Sequence, residues 1–210
     1  MTQLNITFID QADSTMQGKL EGLRSSPTLS TTLGHAWMNE NLEPFGIISG
    51  IARIMHPEQY VMGMSMLRAM TRTSKFSEVL PRWPSVFSAL SVVVNRMCPM
   101  HREQKGDCRF FDILASCGQY TSTSLHLQPV GFQIPNGPGT VVGFSGKALR
   151  HGVGHADGDR TCIAFYMRES IRSCFRVRPC GWMRQEVYRE CIGPRQNTLY
   201  KALSPSPFAL

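Results

Sequence analysis

The repeat of apolar and polar positions changes near residue 85. Upstream, HPEQYVMGMSMLRAMTR spaces Tyr60, Met64, Leu67 and Met70 by four, three and three residues, the repeat of one helix face. Pro57 falls in the first turn, where a missing N–H is harmless, and Glu58 lies beside the positive helix end. The methionine-rich stripe reads as core packing. The first 45 residues read as mixed helix and loop: QADSTMQGKLEGLRSS opens on an Asp/Ser start signal and breaks at Ser-Ser-Pro-Thr. After PRWPS, β-branched and apolar runs of strand length take over. FSALSVVVNRM predicts a strand up to Arg96, and FFDILASCGQY a second ending at Gly118. SLHLQPVGFQI predicts two short strands about Pro129-Val130-Gly131. Further strands are expected over Thr140–Phe144 and from Arg160 to Met167. Short strands at such spacing, separated by glycine turns, favour a sandwich or barrel. The last 40 residues are basic and loop-rich, with partial helix and a frayed SPSPFAL end.

Composition bounds the class. With 210 residues, 42% hydrophobic and 18% charged, the chain is expected to fold as a single globular domain. No apolar run approaches the roughly 18 residues of a membrane span, and MTQLNITFIDQADST lacks the basic-then-apolar order of a secretory signal. Seven cysteines, an odd number without a CxxC pair, fit a reducing compartment. Cys98, His101 and Cys108 could hold zinc, but their spacing matches no established zinc module. The net charge of +7 is uneven: residues 1–144 carry 11 Lys/Arg against 10 Asp/Glu, and residues 145–201 carry 11 against 5. Such asymmetry points to a polyanion-facing surface, or to a solvated arginine-rich face.

Candidate chemistry centres on NRMCPMHRE. His101 and Glu103, two residues apart, share a face in an extended chain, and His151 follows the strand–turn TVVGFSGKALRHGV some 50 residues on. Two imidazoles and a carboxylate make the facial triad of non-haem Fe(II) oxygenases, which leaves open positions for oxygen and a bidentate cosubstrate. Arg160, on the next predicted strand, could hold a dicarboxylate through its guanidinium fork. An exposed loop His and Glu is the alternative.

The segments VVVNRMCPMHRE, FFDILASCGQY, PGTVVGFSGKALRHGV and GDRTCIAFYMRES resemble, in order and spacing, the TET/JBP family of 2-oxoglutarate-dependent dioxygenases, in particular its basidiomycete branch. The resemblance implies an α+β fold whose mainly β core is a double-stranded β-helix (jelly-roll). Helices of residues 1–85 would support the core at 86–170, and 171–210 would form a basic extension. It implies Fe(II), 2-oxoglutarate and O2, with His101, Glu103 and His151 as iron ligands and Arg96 and Arg160 at the two ends of 2-oxoglutarate. The expected reaction oxidises the methyl group of 5-methylcytosine or N6-methyladenine in DNA, which implies a nuclear enzyme. Arg150 and His155 flank an iron ligand and become candidates for base contacts. Arg168, Arg172, Arg176 and Arg178 become candidates for phosphate contacts, with Arg172 and Arg176 on one face if their segment is helical. The family usually carries aspartate where this chain has Glu103, and a misplaced carboxylate costs rate steeply. A catalytically weakened DNA-binding relative and an oxygenase on RNA or protein are therefore the alternative readings.

Overall fold

Three helices in succession build the platform beneath the sheets: α1 (Thr32–Glu40), α2 (Leu42–Met55) and α3 (Pro57–Met70). The computed structural model describes residues 2–6, 9–11 and 23–192. The SPSPFAL end and most of QADSTMQGKLEGLRSS lie outside the described residues. Thr31 caps α1 by accepting the Gly34 N–H at 3.0 Å. His56 caps α3, with Pro57 at the first position as the sequence predicts.

The buried face of α3 differs from the expected one. Gln59, Met62, Gly63, Met66 and Met70 are buried, while Tyr60, Met64 and Leu67 are only partly covered. Gly63 sets this rotation: a Cβ there would lie 2.5 Å from the Val86 carbonyl oxygen. The helix turns its smallest residue to the chain segments that enter β4 and leave β11, and flexible methionines fill the space beside it.

Two antiparallel sheets follow. The larger has the order β1 (Thr2–Ile6), β4 (Ala89–Val94), β11 (Asp159–Tyr166), β6 (Asp112–Gln119), β9 (Val141–Phe144). The smaller has the order β5 (Cys98–His101), β10 (His151–Val153), β7 (Ser124–Leu127), β8 (Phe132–Pro135). A two-stranded ribbon, β2 (Ile9–Gln11) with β3 (Leu23–Ser25), pairs with neither sheet, although Leu23 is buried in the main core. Leu23–Ser25 is therefore strand where the sequence suggests the close of a helix.

Alternation along the larger sheet divides the interior. Ile113, Ala115, Ile163 and Phe165 face the helices, where Phe45 meets Phe165 edge-on at 5.0 Å. Leu114, Val142 and Phe144 face the smaller sheet and pack with Leu125, Leu127 and Val153. Cys162 pairs with Ser116 and Arg160 with Gly118, so both stand on this inner face. The space between the sheets is where both the apolar cluster and the candidate site lie. The fold is the α+β jelly-roll expected from the sequence.

The chain after β11 forms α4 (Glu169–Cys174) and α5 (Gln185–Ile192). Ile171 and Cys180 are buried in the main core. Arg172 and Arg176 do not share a helix face. The helix ends at Cys174, and Arg176 adopts the left-handed conformation at φ 52°. The N–H of Val177 reaches the Arg172 carbonyl at 3.3 Å and that of Arg176 reaches Ser173 at 3.0 Å, a Schellman closure. An arginine here takes a position usually given to glycine, so the sequence carries no stop signal.

Candidate active site

β5 and β10 are neighbouring short strands of the smaller sheet, of four and three residues, and each ends or begins on a histidine. His101 closes β5, His151 opens β10, and the two are direct cross-strand partners. Their ring centroids lie 4.3 Å apart. Glu103 follows two residues after His101, and its N–H is fixed by the Gly146 carbonyl at 3.0 Å. One ligand atom from each of His101, Glu103 and His151 lies within 4.8 Å of the others. Among the described residues this is the one His/Cys/Asp/Glu group so placed, and Cys98 and Cys108 are not part of it.

Hydrogen bonding sets the donor atoms. Nδ1 of His101 lies 2.8 Å from the Pro99 carbonyl oxygen, and Nδ1 of His151 lies 3.0 Å from that of Leu149. A carbonyl accepts only, so each ring carries a proton on Nδ1, which leaves Nε2 as the atom that can ligate at the site. That is the tautomer a metal-binding imidazole needs. Burial lowers the His151 pKa, the Leu149 carbonyl opposes this, and neighbouring His101 lowers it further. The neutral, ligating form is thereby favoured. The Glu103 side chain is half exposed and lies 3.4 Å from His101 Nε2, so it has room to close on an ion. These residues fit a divalent metal.

Beneath them sits a residue that the spacing argument passes over. Asp112, on β6, accepts the Gly146 N–H at 3.1 Å. Burial, and then the negative Glu103, raise its carboxyl to about 8. Asp112 thus braces the loop that holds Glu103 without joining the ligand group. A Cβ on Gly146 would lie 2.3 Å from Asp112 Oδ2, 3.0 Å from Glu103 Cγ and 3.3 Å from His151 Cε1.

Arg160 is 3% exposed on the inner face of the larger sheet. Its backbone is pinned by Asn95, a non-glycine residue at φ 49°. The Asn95 Oδ1 accepts the Arg160 N–H at 2.7 Å, and the Asn95 N–H donates to the Arg160 carbonyl at 2.8 Å. Asparagine tolerates this conformation better than most residues. The guanidinium donates to Ser116 Oγ at 3.3 Å, and its Nε is buried with no partner. No carboxylate of the described residues is among its hydrogen-bond partners, and a buried cation without a counter-ion suits an anion. It lines a cleft of about 310 Å³ with Asn95, Arg96, Met97, His155, Ala156, Asp157 and Gly158. Cys98, whose Sγ is 3.6 Å from His101 Nδ1, feels Arg96, Glu103 and Arg160 together. Cleft and triad therefore share one neighbourhood.

The structure thus gathers His101, Glu103 and His151 in one group and Arg96, His155 and Arg160 around the adjoining cleft. Arg150 is exposed one residue before His151. Arg172 is committed internally, bonded to both Glu169 carboxylate oxygens at 2.8 and 2.5 Å and to the Val177 carbonyl. Its expected role against phosphate has no free guanidinium behind it. Arg176 remains exposed.

Residues 14–169 match the Tet_JBP family, the oxygenase domain of the 2OGFeDO superfamily. The chain belongs to this family. The family's chemistry uses Fe(II), 2-oxoglutarate and O2, and the His101–Glu103–His151 group is a candidate ligand set for such an iron. Among solved structures, NgTET1 in complex with 5mC DNA superimposes with a TM-score of 0.58 at 11% identity. The superposition covers 82% of this chain and 62% of that one. At that identity the likeness is one of fold. No curated protein matches the chain.

Proposed function

We propose that this Tet_JBP member oxidises the methyl group of a methylated nucleobase, 5-methylcytosine or N6-methyladenine, in DNA, and that it works in the nucleus. The observation that carries the reading is the pairing of a His101–Glu103–His151 group with a buried Arg160, its Nε without a partner, in the adjoining cleft. His101, Glu103 and His151 would hold iron, and Arg160, with Arg96, would take the carboxylates of 2-oxoglutarate. When bound, iron would let O2 oxidise both partners: 2-oxoglutarate would lose CO2 and take one oxygen atom to become succinate, and the methyl group would take the other as a hydroxyl.

The chain's own residues do the positioning. The Pro99 and Leu149 carbonyls fix both imidazole tautomers. Ser116 and Asn95 hold Arg160, and His155 faces the same cleft. The relative with the shared fold is solved in complex with 5mC DNA, and the +7 net charge suits a polyanion. Exposed Arg102, Lys105 and Arg150 and partly exposed Lys147 lie on the loops that carry Glu103 and Gly146. Lys147 Nζ bridges these loops by donating to the Gln104 carbonyl at 2.6 Å. They are better placed to meet phosphate than Arg172.

The test supplies Fe(II), ascorbate and 2-oxoglutarate with duplexes bearing 5-methylcytosine, N6-methyladenine or neither, and measures succinate and nucleosides. One methylated duplex should yield succinate with an oxidised base. Formaldehyde should accompany it only for N6-methyladenine, whose N-hydroxymethyl group is released. Succinate no higher with either methylated duplex than with unmodified DNA would contradict the proposal. Turnover that appears only in Glu103→Asp would mark the native chain as a weakened relative.

A further inference from the structure

The row that pairs the two candidate ligand histidines continues across the smaller sheet. His101 pairs with His151, His151 with Leu127, and Leu127 with Phe132. Directly opposed residues on antiparallel strands project to one face. Phe132 therefore stands on the same face as the metal-binding histidines, two strand spacings or about 9–10 Å from His151. Leu127 is 5% exposed, but Phe132, on the edge strand, is 63% exposed. Among the described residues it is the one exposed phenylalanine.

The approach to Phe132 is built as a firm tip. A 3-10 turn over Gln128–Val130 leads into Gly131, whose φ of 66° closes the reversal. Val130 on this turn is 46% exposed. The Gln128 N–H donates to the Arg150 carbonyl at 3.0 Å. That bond sets the tip against exposed Arg150, so an apolar edge and a cation stand side by side next to His151.

We propose that Phe132 is a wedge that enters the base stack at the step the target nucleotide leaves, with Arg150 on a neighbouring phosphate. The inference rests on the reading of DNA as substrate. A base inside a duplex is out of reach of a metal held between the two sheets and must be swung out by about 180°. Its vacated place then lies a nucleotide's length from the pocket, the scale of the separation between Phe132 and His151. Apolar side chains inserted between base steps are a recurrent device for holding such a gap open. An aromatic ring also restores a stacking partner to the bases left behind.

The test uses the full chain, Phe132→Ala and Phe132→Trp, with a duplex carrying 5-methylcytosine beside 2-aminopurine. Fluorescence is read without 2-oxoglutarate, and turnover is then compared between the duplex and the same strand alone. The wild-type chain should raise 2-aminopurine fluorescence on binding. Phe132→Ala should lose that rise and lower the duplex-to-single-strand turnover ratio by roughly tenfold or more, and Phe132→Trp should recover both. Because Phe132 is exposed, its replacement should leave the melting temperature in place. A Phe132→Ala ratio equal to wild type would overturn the proposal. So would a change of oligomeric state on mutation, which would make this edge an interface between copies of the chain. A wild-type chain that binds neither strand form would remove the DNA reading and the wedge with it.

Discussion

Gly146 shows how narrow the tolerances of the site are. Its missing side chain is the space in which Asp112, Glu103 and His151 approach one another. Gly146→Ala should cost about 1–3 kcal/mol of stability, the range for overpacking, and should weaken metal binding at least about tenfold, as changes beside metal ligands do. Chemical denaturation and a metal titration read the two effects separately. The loop just upstream of Asp112 depends on a second carboxylate. Asp107 accepts from the Arg109 backbone N–H and Nε at 2.9 Å each and from Nη2 at 2.5 Å. Arg109 holds this carboxyl down at about 2, from 3.8. A depressed pKa stabilises the fold above the unfolded value and loses that contribution as pH falls through the folded one. Asp107→Asn should therefore cost about 1 kcal/mol near neutrality, an allowance made for solvent screening. The gap to wild type should close as pH falls from about 4 towards 2 in pH-dependent denaturation. At this scale the sequence is informative where chemistry follows spacing. His101 and Glu103 are legible because extended chain puts alternate residues on one face. Asp112, Ser116 and Asn95 are not, because their partners lie 34, 44 and 65 residues away.

Elements were legible in kind more than in orientation. Period and propensity place α3 and the strands β4, β6, β7, β8, β9 and β11 to within a few residues, because β-branched runs between glycine turns leave few alternatives, but they set no separate strand at β5. The three-residue β10 is too short to show a period, and only its ladder to β5 and β7 defines it. Orientation of α3 depends on a contact the helix itself cannot announce. Its face follows Gly63 against Val86, where an added Cβ would also lie 2.8 Å from Met167 Cε. Gly63→Ala would gain helix propensity of about 1 kcal/mol, yet the clash with backbone outweighs it. A net loss of about 1–3 kcal/mol is expected in denaturant unfolding. A gain in stability would show that the helix can retreat from the sheet. The C-terminal arginines teach the same lesson. Charge density marks residues 168–178 as a polyanion surface, but Arg172 closes its own helix through Glu169 and Val177.

At the scale of the whole molecule, the jelly-roll explains why residues from both halves of the chain meet. The smaller sheet contributes His101 and His151, the larger contributes Asp112 and Arg160, and the space between the sheets receives them all. The helices take the opposite face of the larger sheet and leave the inner face to the site. Membership of the Tet_JBP family follows from residues 14–169. In the proposed iron site the carboxylate is Glu103, where the sequence comparison leads one to expect aspartate, and its competence is the central claim. Anaerobic equilibrium titration of Fe(II), with and without 2-oxoglutarate, addresses it without relying on turnover. The account predicts one metal per chain, tighter binding when 2-oxoglutarate is present, and loss of the site in His151→Ala with the fold retained. Absence of saturable binding, or binding indifferent to His151→Ala, would contradict it.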